Sequence, residues 1–220
     1  MAKSQKKNQS KSLNVLEALK KCQNPLDQRP VLYFLVGPNG SGKSTLFEYL
    51  KELGQSVAFI NADEIKKIIE NAPQPTILAQ KIADVMRKHY VEEHDSFATE
   101  TVFSDEVGEK INFLRNAALS GYRVVLLAVW IPSVAASIAR VRQRVKNGGH
   151  SVPEEKLLRR YHACMDNIKT ALTFVDTAII FDNSGPMELG PKPVVILNSA
   201  SQIWASANIP NGIKALLPSN

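Results

Sequence analysis

The sequence is poor in cysteine, poor in aromatic residues and free of long apolar runs. Its two cysteines, Cys22 and Cys164, stand far apart among 220 residues. That excludes a disulfide-dense scaffold and a cysteine-based zinc cluster, and it suits a reducing compartment. Aromatic residues make up 7%, and they are not interleaved with basic clusters as in a platform for stacking single-stranded nucleic acid. No apolar stretch approaches the roughly eighteen residues of a membrane-spanning helix. The lysine-rich N-terminus lacks the apolar core and cleavage site of a secretory signal. These absences point to a soluble cytoplasmic protein with no membrane partner. Against them stand 44% hydrophobic and 22% charged residues, a globular composition with enough chain to enclose one core.

The net charge of +6 is unevenly spread. Residues 1–29 hold seven Lys/Arg against two acids, whereas residues 30–220 hold twenty against nineteen. The body is therefore almost neutral, and no specific nucleic-acid face is expected on it. The reading is of a basic leader, residues 1–29, ahead of a single domain, residues 30–220. Residues 1–12 are polar and expected to be disordered. Ser12 is a candidate cap for a short helix in LNVLEALKKC, with Leu13, Leu16 and Leu19 on one side, packed on the domain edge.

Beyond Pro30 the chain alternates apolar runs with helical patterns. The runs are Val31–Val36, Val57–Ile60, Ser96–Thr99, Arg123–Trp130, Thr177–Phe181 and Val194–Leu197. Helical stretches fall near 43–53, 64–70, 75–94, 105–120, 133–147 and 153–172. Repeated strand and helix predict an α/β fold with a mostly parallel sheet and helices on both faces. Residues 185–193 read as a loop into a last edge strand, and Trp204 to Leu217 as a C-terminal helix.

The strongest local signal is YFLVGPNGSGKST. Gly37, Gly42, Lys43 and Ser44 stand at the spacing of a Walker A phosphate loop, after a strand and before a helix. Gly37, Pro38, Asn39, Gly40, Ser41, Gly42, Lys43, Ser44 and Thr45 would wrap the phosphates of ATP with backbone N–H groups and a helix N-terminus. Lys43 would reach the β- and γ-phosphates, and Ser44 would ligate Mg²⁺. Transporter-type ATPases need a signature resembling Leu-Ser-Gly-Gly-Gln, and GTPases an Asn-Lys-x-Asp motif; neither is present. A small-molecule or polynucleotide kinase remains, with a helical lid near 138–161.

A hydroxyl-directed kinase needs a carboxylate at the acceptor. Asp63, just past the second strand, is the candidate base; its competing role is to cap the following helix. Glu100, with Thr101 at the end of the third strand, is a candidate for substrate hydroxyls or a Mg²⁺-bound water; its competing role is to pair with a lid arginine. Arg140 and Arg144 share one helix face, Gly148-Gly149 ends that helix, and Arg159 and Arg160 follow in the next. Such forks suit a lid over a triphosphate; the competing reading is a solvated face paired with Glu154 and Glu155. His150 is read as a lid-hinge or substrate contact. Asn183 lies in Asp182-Asn183-Ser184-Gly185 after the fifth strand, a loop that lies under the nucleobase in kinases of this layout; the competing reading is a simple turn.

These residues resemble the zeta toxin family of P-loop kinases. The resemblance rests on Gly37–Thr45, Asn61-Ala62-Asp63-Glu64, Phe97-Ala98-Thr99-Glu100-Thr101 and Gly121-Tyr122-Arg123. It continues through Arg140 to Arg144, Gly148-Gly149-His150-x-Val152-Pro153 and Arg159-Arg160-Tyr161. It implies transfer of a phosphate from ATP to the 3′-hydroxyl of the sugar in UDP-N-acetylglucosamine, which starves cell-wall synthesis, and an antitoxin protein that blocks nucleotide binding. By this resemblance Lys43 and Ser44 are the phosphate and Mg²⁺ residues, Asp63 is the base and Glu100 touches substrate. Arg140 or Arg144, with Arg159 or Arg160, are the lid arginines. The family's Glu-Gly-Thr is Glu100-Thr101-Val102 here. The chain looks closest to the compact bacterial branch that carries the Gly-Gly-His element. Two other functions fit the phosphate loop alone: a polynucleotide 5′-kinase and a non-enzymatic nucleotide switch.

Overall fold

The computed structural model describes residues 12–24, 26–54, 57–149 and 151–218. The expected disorder of residues 1–11 and the candidate contact His150 lie outside the described residues. Seven strands form one sheet: β1 Val31–Val36, β2 Ala58–Asn61, β3 Phe97–Thr101, β4 Arg123–Trp130, β5 Thr177–Asp182, β6 Lys192–Asn198 and β7 Ser201–Ala205. Their order is β2-β3-β1-β4-β5-β6-β7. The first five run parallel, while β6 and β7 add antiparallel at one edge. Helices are α1 Val15–Lys21, α2 Lys43–Glu52, α3 Ala62–Ile68, α4 Pro75–Glu92, α5 Glu109–Leu119, α6 Val134–Lys146, α7 Glu154–Ala171 and α8 Asn211–Lys214.

The apolar runs lack polar alternation because helices cover both faces of the sheet. Successive side chains of a strand point to opposite faces, and the core divides accordingly. Leu32, Phe34, Val124, Leu126, Ala178 and Ile180 pack with α5 and α7. Tyr33, Leu35, Val125, Leu127, Ile179 and Phe181 pack with α1 and α2. Val15, Ala18 and Leu19 of α1 are buried in that second layer, so this helix belongs to the folded core and is no mere appendage.

Three local expectations are corrected. Asn14, not Ser12, caps α1: its Oδ1 accepts from the Glu17 amide at 2.9 Å, and the Glu17 carboxylate accepts from the Asn14 amide at 2.8 Å. This reciprocal pair satisfies two end amides that Ser12 lies too far upstream to reach. The strand after residue 191 is not the edge, because β7 pairs outside it. Trp204, read as helical, lies in β7 and opposes Ile196. Ser199 and Ala200 both take left-handed backbone (φ 47° and 65°), reversing the chain into a hairpin, and only Asn211–Lys214 becomes helical after Pro210. Among the described residues no helix is long and apolar enough to cross a membrane.

Candidate functional site

β1 is the switch point of the sheet. It lies between β3 and β4, and its carboxyl end opens into the phosphate loop, where ligands of such sheets bind. Gly37 leaves β1 at φ 151°, and a Cβ there would come within 2.5 Å of the Val129 carbonyl oxygen. Only glycine lets the loop pass that close to β4. α2 starts at Lys43 without a side-chain cap, leaving its end amides for an anion. Lys43 is buried, and its Nζ donates to the Pro38 carbonyl at 3.1 Å, across the cradle it would share with phosphates. Asn39 Oδ1 and Ser41 Oγ are buried without hydrogen-bond partners. A ready amide cradle, a cation turned across it and the orphaned Ser41 hydroxyl, which can donate, fit a bound triphosphate.

Glu100 stands opposite Leu35 and Asn61 in the register of β3. Its Oε2 accepts from Ser44 Oγ at 2.8 Å and from Asn61 Nδ2 at 3.2 Å, and Oε1 lies 3.9 Å from Lys43 Nζ. The structure thus joins Glu100 to the loop hydroxyl. Thr101 follows, with its Oγ1 accepting weakly from the Phe103 amide at 3.4 Å. Among the described residues no three metal-ligating side chains cluster. Ser44 and Glu100 suit Mg²⁺, a cation that takes one or two protein oxygens and completes its shell with phosphates and water.

Asp63 does not cap α3. Asn61 does, its Oδ1 accepting from the Asp63 amide at 2.8 Å. Cap positions require extended backbone, and Asn61 has it (φ −133°, ψ 116°), whereas Asp63 is already inside the first turn. The Asp63 carboxylate is exposed and has Arg160 as its electrostatic partner. Burial lowers the pKa of Arg160, and Asp63 opposes that shift.

The lid segment divides its arginines. Arg140 lies on the loop, donating to the carbonyls of Gly40 (3.5 Å), Asn183 (2.6 Å) and Gly185 (2.9 Å). One turn earlier, Ser137 Oγ donates to the Asn39 carbonyl at 2.8 Å. Burial lowers the Arg140 pKa, with Asp182 opposing. Arg144 packs beneath Gly149, where a Cβ would fall 2.5 Å from its Cγ. Arg142 pairs with Glu154 across the glycine break, and the exposed Arg159 lies 4.0 Å from Glu155. Of the neighbouring pair, Arg160 faces Asp63 and Arg159 faces water.

Asn183 is buried under the loop, its Nδ2 donating to the Ser41 carbonyl at 2.7 Å. Its side chain therefore braces the phosphate loop. A groove of about 210 Å³ beside it is lined by Thr45, Tyr49, Arg140, Met187, Leu189 and Pro191. Tyr49, Met187, Leu189 and Pro191 were not apparent from the sequence. Tyr49 is a long way from the 187–191 loop in the chain, and no local pattern joins them. Ser137 was accessible in principle, since it lies three residues before Arg140 on the same helix face. Cys164 of α7 is fully buried, with the Gly37 amide donating to it and its thiol pKa pushed up to about 12 by burial.

Comparison with known proteins places this arrangement. A protein of Haemophilus influenzae described as uncharacterized is 34% identical over 134 residues, 58% of this chain and 90% of that protein. The AvrRxo1-ORF1:ORF2 complex crystallised with ATP superposes with a TM-score of 0.60 at 17% identity, over 93% of this chain and 66% of that one. The PezAT toxin-antitoxin system of Streptococcus pneumoniae gives 0.52 at 14% identity, over 92% and 83%. At such identities these structures establish the shared fold. The zeta toxin profile matches residues 16–190, from α1 to the end of the groove-lining loop. The chain belongs to the zeta toxin family and is a P-loop kinase, a phosphotransferase.

Proposed function

We propose that this kinase transfers the γ-phosphate of ATP to a sugar hydroxyl of a nucleotide sugar, the 3′-hydroxyl of UDP-N-acetylglucosamine being the acceptor that the family implies. The observation that carries the reading is Asp63. It is exposed, relieved of capping by Asn61, and set at the same end of the sheet as Lys43, Ser44 and Arg160. A carboxylate so placed can accept the acceptor's hydroxyl proton while the hydroxyl oxygen bonds to phosphorus. The bond to the bridging oxygen breaks, and ADP departs with that electron pair.

Lys43 would neutralise the β- and γ-phosphates. Ser44 and Glu100 would hold Mg²⁺, which supplies charge neutralisation at the phosphates. Arg140 keeps α6 against the loop. Arg144 would turn a lid guanidinium toward phosphate oxygens, while Arg160, beside Asp63, and Thr101 would border the acceptor side. The groove beside Tyr49 and Leu189 suits an adenine ring, because it adjoins the loop and mixes apolar Tyr49, Met187, Leu189 and Pro191 with polar Thr45 and Glu188. An antitoxin that covers the nucleotide site is the expected protein partner. Membership of a kinase family sets aside the non-enzymatic switch.

The test incubates the full chain and Lys43→Ala with Mg²⁺ and ATP against UDP-sugars, nucleosides and 5′-hydroxyl oligonucleotides, reading added phosphate by mass spectrometry. Transfer to UDP-N-acetylglucosamine, lost in the variant, is expected. Transfer confined to oligonucleotides would replace the reading with polynucleotide kinase.

A further inference from the structure

Capping α3 occupies only half of the Asn61 side chain. The Asp63 amide can only donate, so it fixes Oδ1 towards the helix at 2.8 Å and leaves Nδ2 turned the other way. There Nδ2 meets Glu100, its parallel partner in the β2–β3 register, and donates to Oε2 at 3.2 Å. The same oxygen accepts from Ser44 Oγ at 2.8 Å, while Oε1 lies 3.9 Å from Lys43 Nζ. One chain of contacts therefore runs from the first turn of α2, through Glu100 and Asn61, to the first turn of α3, where Asp63 stands. Asn61 is its middle link and is buried.

The strand ends behind this link are held without it. Ile60 faces Thr99 one rung back, and Thr99 Oγ1 donates to the Ile60 carbonyl at 2.9 Å. Buried Arg87 of α4 donates to Thr99 Oγ1 at 3.1 Å and pairs with Asp84. The backbone entering Asn61 is thus fixed, and the side chain reaches both neighbours from one position. Capping does not by itself call for asparagine, because serine and aspartate cap a helix about as well. A serine hydroxyl ends one bond short of the atom that meets Glu100, and an ionised aspartate has no proton to donate. Among good cap formers, only asparagine offers an acceptor and a donor on opposite sides of one planar group.

We propose that Asn61 is a positioning residue for both acids. Its amide holds the Glu100 carboxylate on Ser44 at one end and the turn that carries Asp63 at the other, so that the metal side and the base side of the site keep one spacing. The roles of Glu100 and Asp63 rest on the kinase reading above; the link between them does not.

The experiment separates the two ends of the amide. Asn61→Ser keeps a cap oxygen for α3 and removes the donor to Glu100, whereas Asn61→Ala removes both. Binding of a non-hydrolysable ATP analogue to the full chain is followed by calorimetry across a Mg²⁺ series, with no acceptor present. Asn61→Ser should hold Tm near that of the wild type and raise the Mg²⁺ concentration for half-maximal binding roughly 10-fold, as for loss of a hydrogen bond that orients a metal's ligand. Asn61→Thr, a second cap former without the amide donor, repeats the measurement if the serine variant melts early. In a double-mutant cycle with Glu100→Gln, the serine substitution should add clearly less than it does alone, because its effect passes through the carboxylate. Additive losses, or a wild-type midpoint in Asn61→Ser, would overturn the Glu100 end. In turnover at saturating Mg²⁺, Asn61→Ala should lower kcat roughly 10-fold or more below Asn61→Ser, with KM for the acceptor changing less, because Asp63 loses its placement. Equal kcat in the two variants would overturn the Asp63 end. Failure of transfer to every acceptor would refute the kinase reading; the calorimetric cycle would still decide the hold on Glu100, and amide exchange at Asp63 the hold on α3.

Discussion

Asp63 and Glu100 are both acids at strand ends, and their surroundings separate their chemistry. Glu100 accepts from Ser44 and Asn61 and lies near Lys43, which ties it to the phosphate and metal side. Glu100→Gln keeps the shape and removes the charge. It should raise the Mg²⁺ concentration for half-maximal turnover by roughly 10- to 100-fold, as for groups that orient a metal's ligands. A Mg²⁺ titration of initial rates checks this, and an unchanged midpoint would return Glu100 to the substrate side. Asp63→Asn should lower kcat by roughly 10²–10⁴, the contribution of a positioned base. Tm should hold, because Asn61 supplies the α3 cap. Near-normal kcat at unchanged Tm would refute the base assignment. The two acids and Lys43 were legible in the sequence as acids and a lysine at motif positions. The capping role of Asn61 was equally local but went unread, because Asp63 is also a good cap former.

At the scale of elements, α6 acts as a brace over the phosphate loop. Ser137 and Arg140 reach the loop from one face of the helix, and Gly40 allows the approach. Gly40 has φ 73°, and a Cβ on it would lie 3.0 Å from Arg140 Cβ. Gly40→Ala should therefore cost about 1–2 kcal/mol, from left-handed backbone at a residue with a side chain. It should also weaken ATP binding by pushing α6 away. Ser137→Ala removes one hydrogen bond and should cost about 1 kcal/mol. Urea unfolding and nucleotide titration on both variants check the pair; wild-type affinity in Gly40→Ala would show that the loop keeps its shape without the brace. The choice between Arg159 and Arg160 also belongs to this scale. Leu157, Tyr161, Cys164 and Ile168 define the buried face of α7, and Arg160 flanks it while Arg159 points away. That rotation could have been taken from the helical period of the apolar residues.

Across the whole molecule, the end of the sheet opposite the site is closed by a charge clamp. Arg29 binds Asp27 Oδ2 and Asp176 Oδ1, each at 2.8 Å, and Asp176 Oδ2 accepts from the Val124 amide at 2.9 Å. Buried Arg123 donates to the Cys22 carbonyl, tying the end of α1 to β4. Hydrogen bonding from Arg29, outweighing burial, lowers the Asp27 pKa to about 2. A depressed carboxylate stabilises the fold above its unfolded value near 3.8 and loses that contribution as pH falls towards 2. Asp27→Asn should thus lower Tm at neutral pH, and the gap to wild type should close between about pH 4 and 2. A gap that does not change with pH would assign the effect to packing. The basic leader is tested separately. α1 lies in the core, so only residues 1–11, with four lysines, should be removed. Salt-sensitive oligonucleotide binding should disappear while transfer persists. Tight binding that survives would favour a polynucleotide acceptor.

The sequence by itself determined the alternation of strands and helices, the phosphate loop and the acids that follow the strands. Each is written in neighbouring residues: apolar runs, glycine spacing, helix breaks. Only the tertiary structure decided that β3 inserts between β1 and β2, which carries Glu100 to Ser44. It also decided that Asn183 braces the loop and that Trp204 pairs with Ile196 in a hairpin. The reason is range. These contacts join residues from separate parts of the chain, and their positions follow from strand order and from how each helix packs on the sheet, which no local pattern encodes.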